Sequence, residues 1–291
     1  MKYIKQYSIL ISIALLGLTS CIKEVEFSGE ETAPMPVLNC VVAHGDTVVY
    51  ADLSKSLFFL RRGDFAPLTD AEVTLTCNGT PYLMTLVGDS VYCLRHTFAS
   101  GDVVAISAEV PEFGTLISET MAVTTAPTIA DAYIEHGDEE WEQSFTLKIM
   151  NHNPGGTYYQ ISVYRDSVMD ALDNPNENLS CYDSRLLLTN TDFPSVNYGR
   201  FLAFPAANIS GDTCTLVIDL VSTPMSNFNY YVEVTSVSES LYKYLSTMEN
   251  YLGSRGNPFT EPVQVYTNIS GGLGVFGTKN KSERKIDFRM R

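Results

Sequence analysis

The sequence is short of tryptophan, histidine and positive charge. One Trp and four His occur in 291 residues, and 19 Lys and Arg stand against 34 Asp and Glu. A formal charge of −15 excludes a nucleic-acid binder, which needs a basic stripe. It also argues against electrostatic docking on anionic lipid. His44, His96, His136 and His152 form no H-E-x-x-H or similar pair, so no metal site is expected. No G-x-S-x-G elbow is present. Gly88-Asp89-Ser90 lacks the late Asp-x-x-His of the esterases that use such a block, and reads as a hairpin turn. Gly271–Gly277 has neither a Lys-Ser/Thr ending nor a following apolar helix, so it is no phosphate cradle. It reads as a glycine-rich bend or bulge. No nucleophile–base pair is visible, so the expectation is no enzyme and no cofactor. The acidic runs near Glu135–Glu140 and Asp166–Glu177 lack the alternating register of a calcium loop and read as exposed.

What is present begins with export. Lys2 and Lys5 precede ten largely apolar residues, Ile9–Leu18. A membrane span needs about 20 residues, so this run has the length of a signal-peptide core. Leu18-Thr19-Ser20-Cys21 then resembles a bacterial lipobox. Small side chains admit the signal peptidase, and the Cys21 thiol becomes the lipidated thioether. Lipidation at Cys21 is therefore expected, with two or three acyl chains such as palmitate as the anchor. Cys21-Ile22-Lys23-Glu24-Val25-Glu26 is similar to a surface-export signal. Residues 22–35 are acidic and aperiodic, a tether.

From Pro36 onward the composition favours strands: 45% of residues are apolar, with 17 Tyr and 14 Phe. Ala71, Val73, Leu75 and Cys77 alternate with Glu72, Thr74 and Thr76, which predicts a half-buried strand. Asn78-Gly79 marks a tight turn. Thr124–Thr128, TTAPT, reads as a linker. Tyr158–Tyr164, Thr213–Val221 and Asn229–Val237 read as strands. Pro262–Thr267 and Gly274–Phe276 are expected to return to the second sheet. Ser236 or Ser238 caps one amphipathic helix at about 239–252, whose apolar stripe runs from Leu241 to Leu252 and should pack on the sheet.

Cys77 and Cys93 fall on neighbouring predicted strands and make a candidate disulfide, as do Cys181 and Cys214 in the second half. Three Asp-Ser/Thr-aliphatic triplets resemble O-glycosylation acceptors, at Thr47, Ser90 and Ser167. Four N-x-S/T sequons, among them Asn268, carry no expectation. Tyr158, Tyr159, Tyr164, Tyr230, Tyr231 and Trp141 could form a sugar or peptide platform, although core packing explains most of them.

The lipobox, DAEVTL, PGGTYYQISVY, SESLYKYLSTMENY and NISGGLGVFG, in that order, resemble the Bacteroidota lipoprotein family called domain of unknown function 4249. The fold expected is mostly β, with two immunoglobulin/fibronectin-like β-sandwich domains and one amphipathic helix near the C-terminus. The layout is a signal peptide at 1–20, a lipidated tether at 21–35, an N-terminal sandwich at 36–125 and a fibronectin-like domain at 129–291. The resemblance supplies no catalytic residues. It implies a surface-exposed outer-membrane lipoprotein, held to the membrane by its N-terminal lipid. As a non-catalytic binding or accessory component it would serve a TonB-dependent outer-membrane transporter. The alternative is a structural or adhesive surface lipoprotein without a transporter.

Overall fold

The computed structural model describes residues 33–57, 65–136, 143–150, 157–166, 179–181, 197–199, 201–208, 211–220, 228–254 and 263–290. The first half contains β1 (Pro36–Ala43), β2 (Val48–Lys55), β3 (Ala66–Pro67), β4 (Glu72–Cys77), β5 (Thr80–Leu83), β6 (Thr85–Leu86), β7 (Val91–Arg95), β8 (Val103–Val110), β9 (Gly114–Ser118) and β10 (Met121–Ala122). The second contains β11 (Thr128–His136), β12 (Gln143–Met150), β13 (Tyr158–Asp166), β14 (Leu179–Cys181), β15 (Asn197–Gly199), β16 (Leu202–Pro205), β17 (Thr213–Leu220) and β18 (Asn229–Val237). A helix, Glu239–Ser254, and the strands β19 (Ile269–Ser270), β20 (Phe276–Lys285) and β21 (Asp287–Met290) follow.

The expected alternation is visible strand by strand. In β4, Val73, Leu75 and Cys77 are buried while Glu72, Thr74 and Thr76 face outward. Asn78 (φ 50°) and Gly79 (φ 80°) both take positive φ, which closes the β4–β5 hairpin with the strand twist that two-residue turns favour. Asn78 also caps the neighbouring turn. Its Oδ1 accepts from the Val103 N–H and its Nδ2 donates to Asp102.

Among the described residues the strands form three sheets. One has nine strands in the order β16-β13-β18-β20-β1-β2-β7-β6, with β3 on β2. A second, β19-β9-β8-β4-β5 with β10 on β8, covers one half of it, and a third, β15-β14-β17-β12-β11-β21, covers the other. The first core packs Leu38, Val49 and Leu53 of the long sheet against Val73, Leu75, Ile106 and Leu116. The second packs Ile161, Val163, Val232 and Val234 against Phe145, Leu147, Leu216 and Ile218. Each such side chain contributes about 1.5–3 kcal/mol by leaving water. This is the mostly β sandwich architecture with one helix that the sequence predicts.

One strand makes the long sheet continuous. Phe276–Lys279 of β20 run parallel to Cys40–Ala43 of β1, and Lys279–Lys285 run antiparallel to Tyr231–Val237 of β18. The expected return of Gly274–Phe276 to the second sheet is corrected. Leu273, Val275 and Phe276 lie along β1, β19 pairs with β9, and Phe276 is fully buried in the first core. Residues 263–268 form no strand. The glycines explain the docking. A Cβ on Gly272 would lie 2.6 Å from the Pro36 carbonyl oxygen, and one on Gly274 2.1 Å from that of Leu38. The glycine-rich run is a close backbone approach, the bend that the sequence suggests.

The segment from Ala122 to Ala130, which contains TTAPT, is clasped by the face of β20 that Phe276 begins. Every second side chain from Thr278 to Arg284 reaches one of its carbonyls. The Thr278 hydroxyl donates to Ala122, the Asn280 amide to Thr124, the Ser282 hydroxyl to Pro127 and the Arg284 guanidinium to Ala130. From β18, the Ser236 hydroxyl donates to Thr125 O at 2.5 Å and the Thr124 hydroxyl donates back to Ser236 O at 3.0 Å. These bonds supply partners for backbone groups that two covering layers would otherwise strip of water.

The helix starts where Ser238 caps it. The Leu241 N–H donates to Ser238 Oγ, and the Tyr242 N–H donates to Ser238 O. Only its first turns seat on the sheet. Leu241 is buried against Gly277, and Tyr242 stacks on Tyr158 at 4.4 Å, while Tyr251 and Leu252 are exposed. The apolar stripe is covered at one end, because Gly277 is what admits the helix.

The candidate Cys77–Cys93 disulfide is also corrected. Cys77 lies on β4 between β5 and β8, whereas Cys93 lies on β7, in the other sheet, between β2 and β6. Cys77 points into the core, and Cys93 points away from it because its neighbour Tyr92 takes the inward position. Both thiols are free. Cys214 is buried in the second core, and the side chain of Cys181 lies outside the described residues. Burial pushes the Cys40 thiol up to about 12. Burial and then the Asp102 carboxylate push Cys77 up as well. At pH 8, iodoacetamide should therefore modify Cys93 in the native protein, and Cys40 and Cys77 only after unfolding. Peptide mass spectrometry reads the order. A cross-linked Cys77–Cys93 peptide under non-reducing conditions would contradict the placement.

Candidate functional site

Three central strands build the site. Alternation in β13 turns Tyr159, Ile161 and Val163 into the core and Gln160, Ser162 and Tyr164 outward. In β18, Tyr230, Val232 and Val234 go inward, so Tyr231, Glu233 and Thr235 share the outer face. The register completes three rows across the sheet. They are Tyr164–Tyr231–Lys285, Ser162–Glu233–Glu283 and Gln160–Thr235–Lys281. The next row, Tyr158–Val237–Lys279, is where the helix sits, through Tyr242 on Tyr158. Beside the helix the described residues leave part of this face uncovered. It forms a groove of about 490 Å³ lined by Gln160, Ser162, Tyr164, Phe201, Glu233, Lys281 and Glu283.

Its charges are arranged in pairs. Glu233 and Glu283 are direct cross-strand partners, a like-charge arrangement that costs stability alone. Lys281 offsets it by donating to Glu233 Oε2 at 2.6 Å, and that hydrogen bond raises the lysine's pKa. The Thr235 hydroxyl also donates to Glu233. The Tyr164 phenol rises above its ordinary range, first through burial and then through its hydrogen bond to Glu283. Tyr164 and Tyr231 stack with centroids 5.4 Å apart and planes 17° from parallel. The lining thus offers the Tyr164 and Phe201 rings beside carboxylates, an amide, a hydroxyl and an ammonium group, with Tyr231 stacked on Tyr164.

Of the aromatic residues singled out in the sequence, Tyr164 and Tyr231 reach this face together, Tyr158 stacks under the helix, and Tyr159 and Tyr230 are core. Trp141 lies outside the described residues, as do Cys21, Ser167 and His152. Thr47 is exposed in the β1–β2 turn, and the Ser90 hydroxyl donates to Asp52 Oδ2 at 2.6 Å. His96 lies between Tyr82 and Phe98, at 4.6 and 4.7 Å, and His44 is exposed in a turn. Glu233, Lys281 and Glu283 were invisible as site residues. They come from two strands about fifty residues apart in the chain, and only the sheet order makes them neighbours.

The sheets and groove define a mostly β sandwich protein with a polar, aromatic outer face. The chain belongs to the family described as Domain of unknown function (DUF4249), whose model matches residues 22–285. No curated protein matches it in sequence. Among solved structures it is similar to a chain of a cytokine receptor complex, with 8% identity and a TM-score of 0.25 over 71% of this chain and 92% of that one. It is also similar to CBD12 from CALX1.2, with 11% identity and a TM-score of 0.23 over 87% and 99%. A DUF4785 family protein from Legionella pneumophila gives 9% identity and a TM-score of 0.24 over 69% and 52%.

Proposed function

We propose that this chain is a lipid-anchored outer-membrane protein, displayed toward the exterior, that gives binding surface rather than catalysis to a TonB-dependent nutrient-uptake system. The observation that carries the reading is the order of parts. Leu18-Thr19-Ser20-Cys21 stands immediately before residue 22, where the family match begins, and an acidic stretch separates Cys21 from strand β1 at Pro36. A lipid on Cys21 would therefore hold a folded β body at the end of a short polar tether. The outward groove supports a binding role, since it is a concave set of convergent polar and aromatic groups within the size range of small-ligand sites, about 300–1,000 Å³.

Two measurements test it. Intact-mass analysis of the protein from its native host should show an acylated Cys21 with residues 1–20 removed. Purification of the chain in mild detergent should bring a TonB-dependent transporter with it. An unprocessed, lipid-free terminus overturns the anchor, and repeated isolation without any transporter overturns the uptake role.

A further inference from the structure

We propose that the groove lined by Tyr164 and Phe201 binds a neutral oligosaccharide. The inference rests on reading the chain as a binding module, and it needs neither the lipid nor the transporter. A sugar ring presents an apolar C–H face and a rim of paired hydroxyls, and the groove is divided in the same way. The half-buried Tyr164, which stacks on Tyr231, and the half-buried Phe201 supply apolar ring surface to the groove. The two rows beside the tyrosine pair supply Ser162, Glu233 and Glu283, then Gln160 and Lys281. Carboxylates accept from hydroxyl pairs, the ammonium group donates to sugar oxygens, and the amide does both.

The charge pattern selects against ionic ligands. Lys281 is bound to Glu233, and Glu283 already accepts the Tyr164 hydroxyl, with Lys285 in register beside Tyr231. A polyanion approaching the lysines meets both carboxylates within one or two residue spacings, and a polycation approaching the carboxylates meets the lysines. A neutral ligand exchanges hydrogen bonds with both without breaking the Lys281–Glu233 pair, whose separation would leave partly buried charge unmatched. Shape agrees, because among the described residues the groove lies along an uncovered part of a sheet face, so a chain of sugar units can lie across it instead of being enclosed.

The test applies the full chain to an array of short neutral oligosaccharides, with uronate-containing and sialylated oligosaccharides and oligolysine alongside. Retention of a neutral oligosaccharide, insensitive to added salt, is expected. Tyr164→Ala and Glu283→Gln should each weaken it about tenfold in protein that still unfolds cooperatively. Tyr50→Ala, at an exposed tyrosine on β2 of the same sheet, should leave affinity unchanged. Retention of charged probes in preference, absence of any neutral ligand, or full affinity in Tyr164→Ala overturns the proposal. Lipid mass at Cys21 and transporter co-purification are read separately, so the failure of one reading is distinguishable from that of the other.

Discussion

Gly274→Ala is expected to cost about 3–5 kcal/mol, from backbone strain of about 1–3 and overpacking of similar size. That is a large part of the roughly 5–15 kcal/mol that holds a domain together. The residue sits at φ 112°, where side chains are rarely tolerated, and an added Cβ would meet the Leu38 carbonyl oxygen at 2.1 Å and its carbon at 2.7 Å. Neither strand can yield without loss. Leu38 N–H donates to Leu273 O and Cys40 N–H to Val275 O, both at 2.9 Å, so the contact lies inside a ladder that both flanking residues hold. Gly45→Ala separates the two effects. It has φ 79° with nothing within 4 Å of the added carbon, so only strain remains, about 1 kcal/mol. Urea unfolding of both variants checks this. Equal, small losses would show that the Gly274 approach is not tight.

Much of the fold is legible in the sequence wherever burial is apolar. The alternation in DAEVTLTC, the Asn78-Gly79 turn and the capped helix all match, because each rests on local chemistry or on a two-sided contrast between core and water. β20 defeats the same reasoning. Of its ten residues, FGTKNKSERK, only Phe276 falls in an expected strand, yet β20 is a central strand of the longest sheet. Beyond Gly277 its two faces meet other partners than oil. Thr278, Asn280, Ser282 and Arg284 bond carbonyls of the segment from Ala122 to Ala130, and Lys281 and Glu283 line the groove. Hydrophobic periodicity is blind to a strand stabilised by hydrogen bonds on one side and left wet on the other. The same blindness hid half the site. The outward set Gln160, Ser162 and Tyr164 follows from the alternation in YYQISVY, but Glu233, Lys281 and Glu283 follow only from the pairing of β18 with β20.

The linker and β20 together account for how two cores share one unit. A flexible connection would leave each sandwich to fold and move by itself. Here the first core takes Phe276 from the far end of the chain, and four carbonyls of the connecting segment are bonded by alternate residues of the strand that Phe276 begins. The groove lies on the opposite face of that strand from the clasp, so the position of Lys281 and Glu283 is fixed by bonds made by Asn280 and Ser282 between them. Rigid placement of this kind lowers the entropy that a ligand must overcome on binding.

Asn268→Ala should destabilise the protein by about 2–4 kcal/mol, since each buried polar group left without a partner costs about 1–3. The side chain acts as a piece of strand. Its Nδ2 donates to Phe276 O and its Oδ1 accepts from Phe276 N–H, both at 2.8 Å, with Asn268 buried and Phe276 wholly so. This use of the amide leaves the Asn268-Ile269-Ser270 sequon with its acceptor nitrogen engaged inside the fold. Asn268→Asp distinguishes lost bonds from lost volume. The carboxylate keeps the acceptor for Phe276 N–H but sets negative charge against Phe276 O, which raises its folded pKa above the unfolded value near 4. The folded state then binds the extra proton more tightly, so stability of the Asp variant should rise as pH falls from about 7 towards 4. Protonation restores a donor to Phe276 O. The Ala variant has no such group, so the stability gap between the two should change with pH. Chemical denaturation at both ends of that range measures it, and a gap that stays constant would mean that the bidentate bond to Phe276 is not what holds β20 at its start.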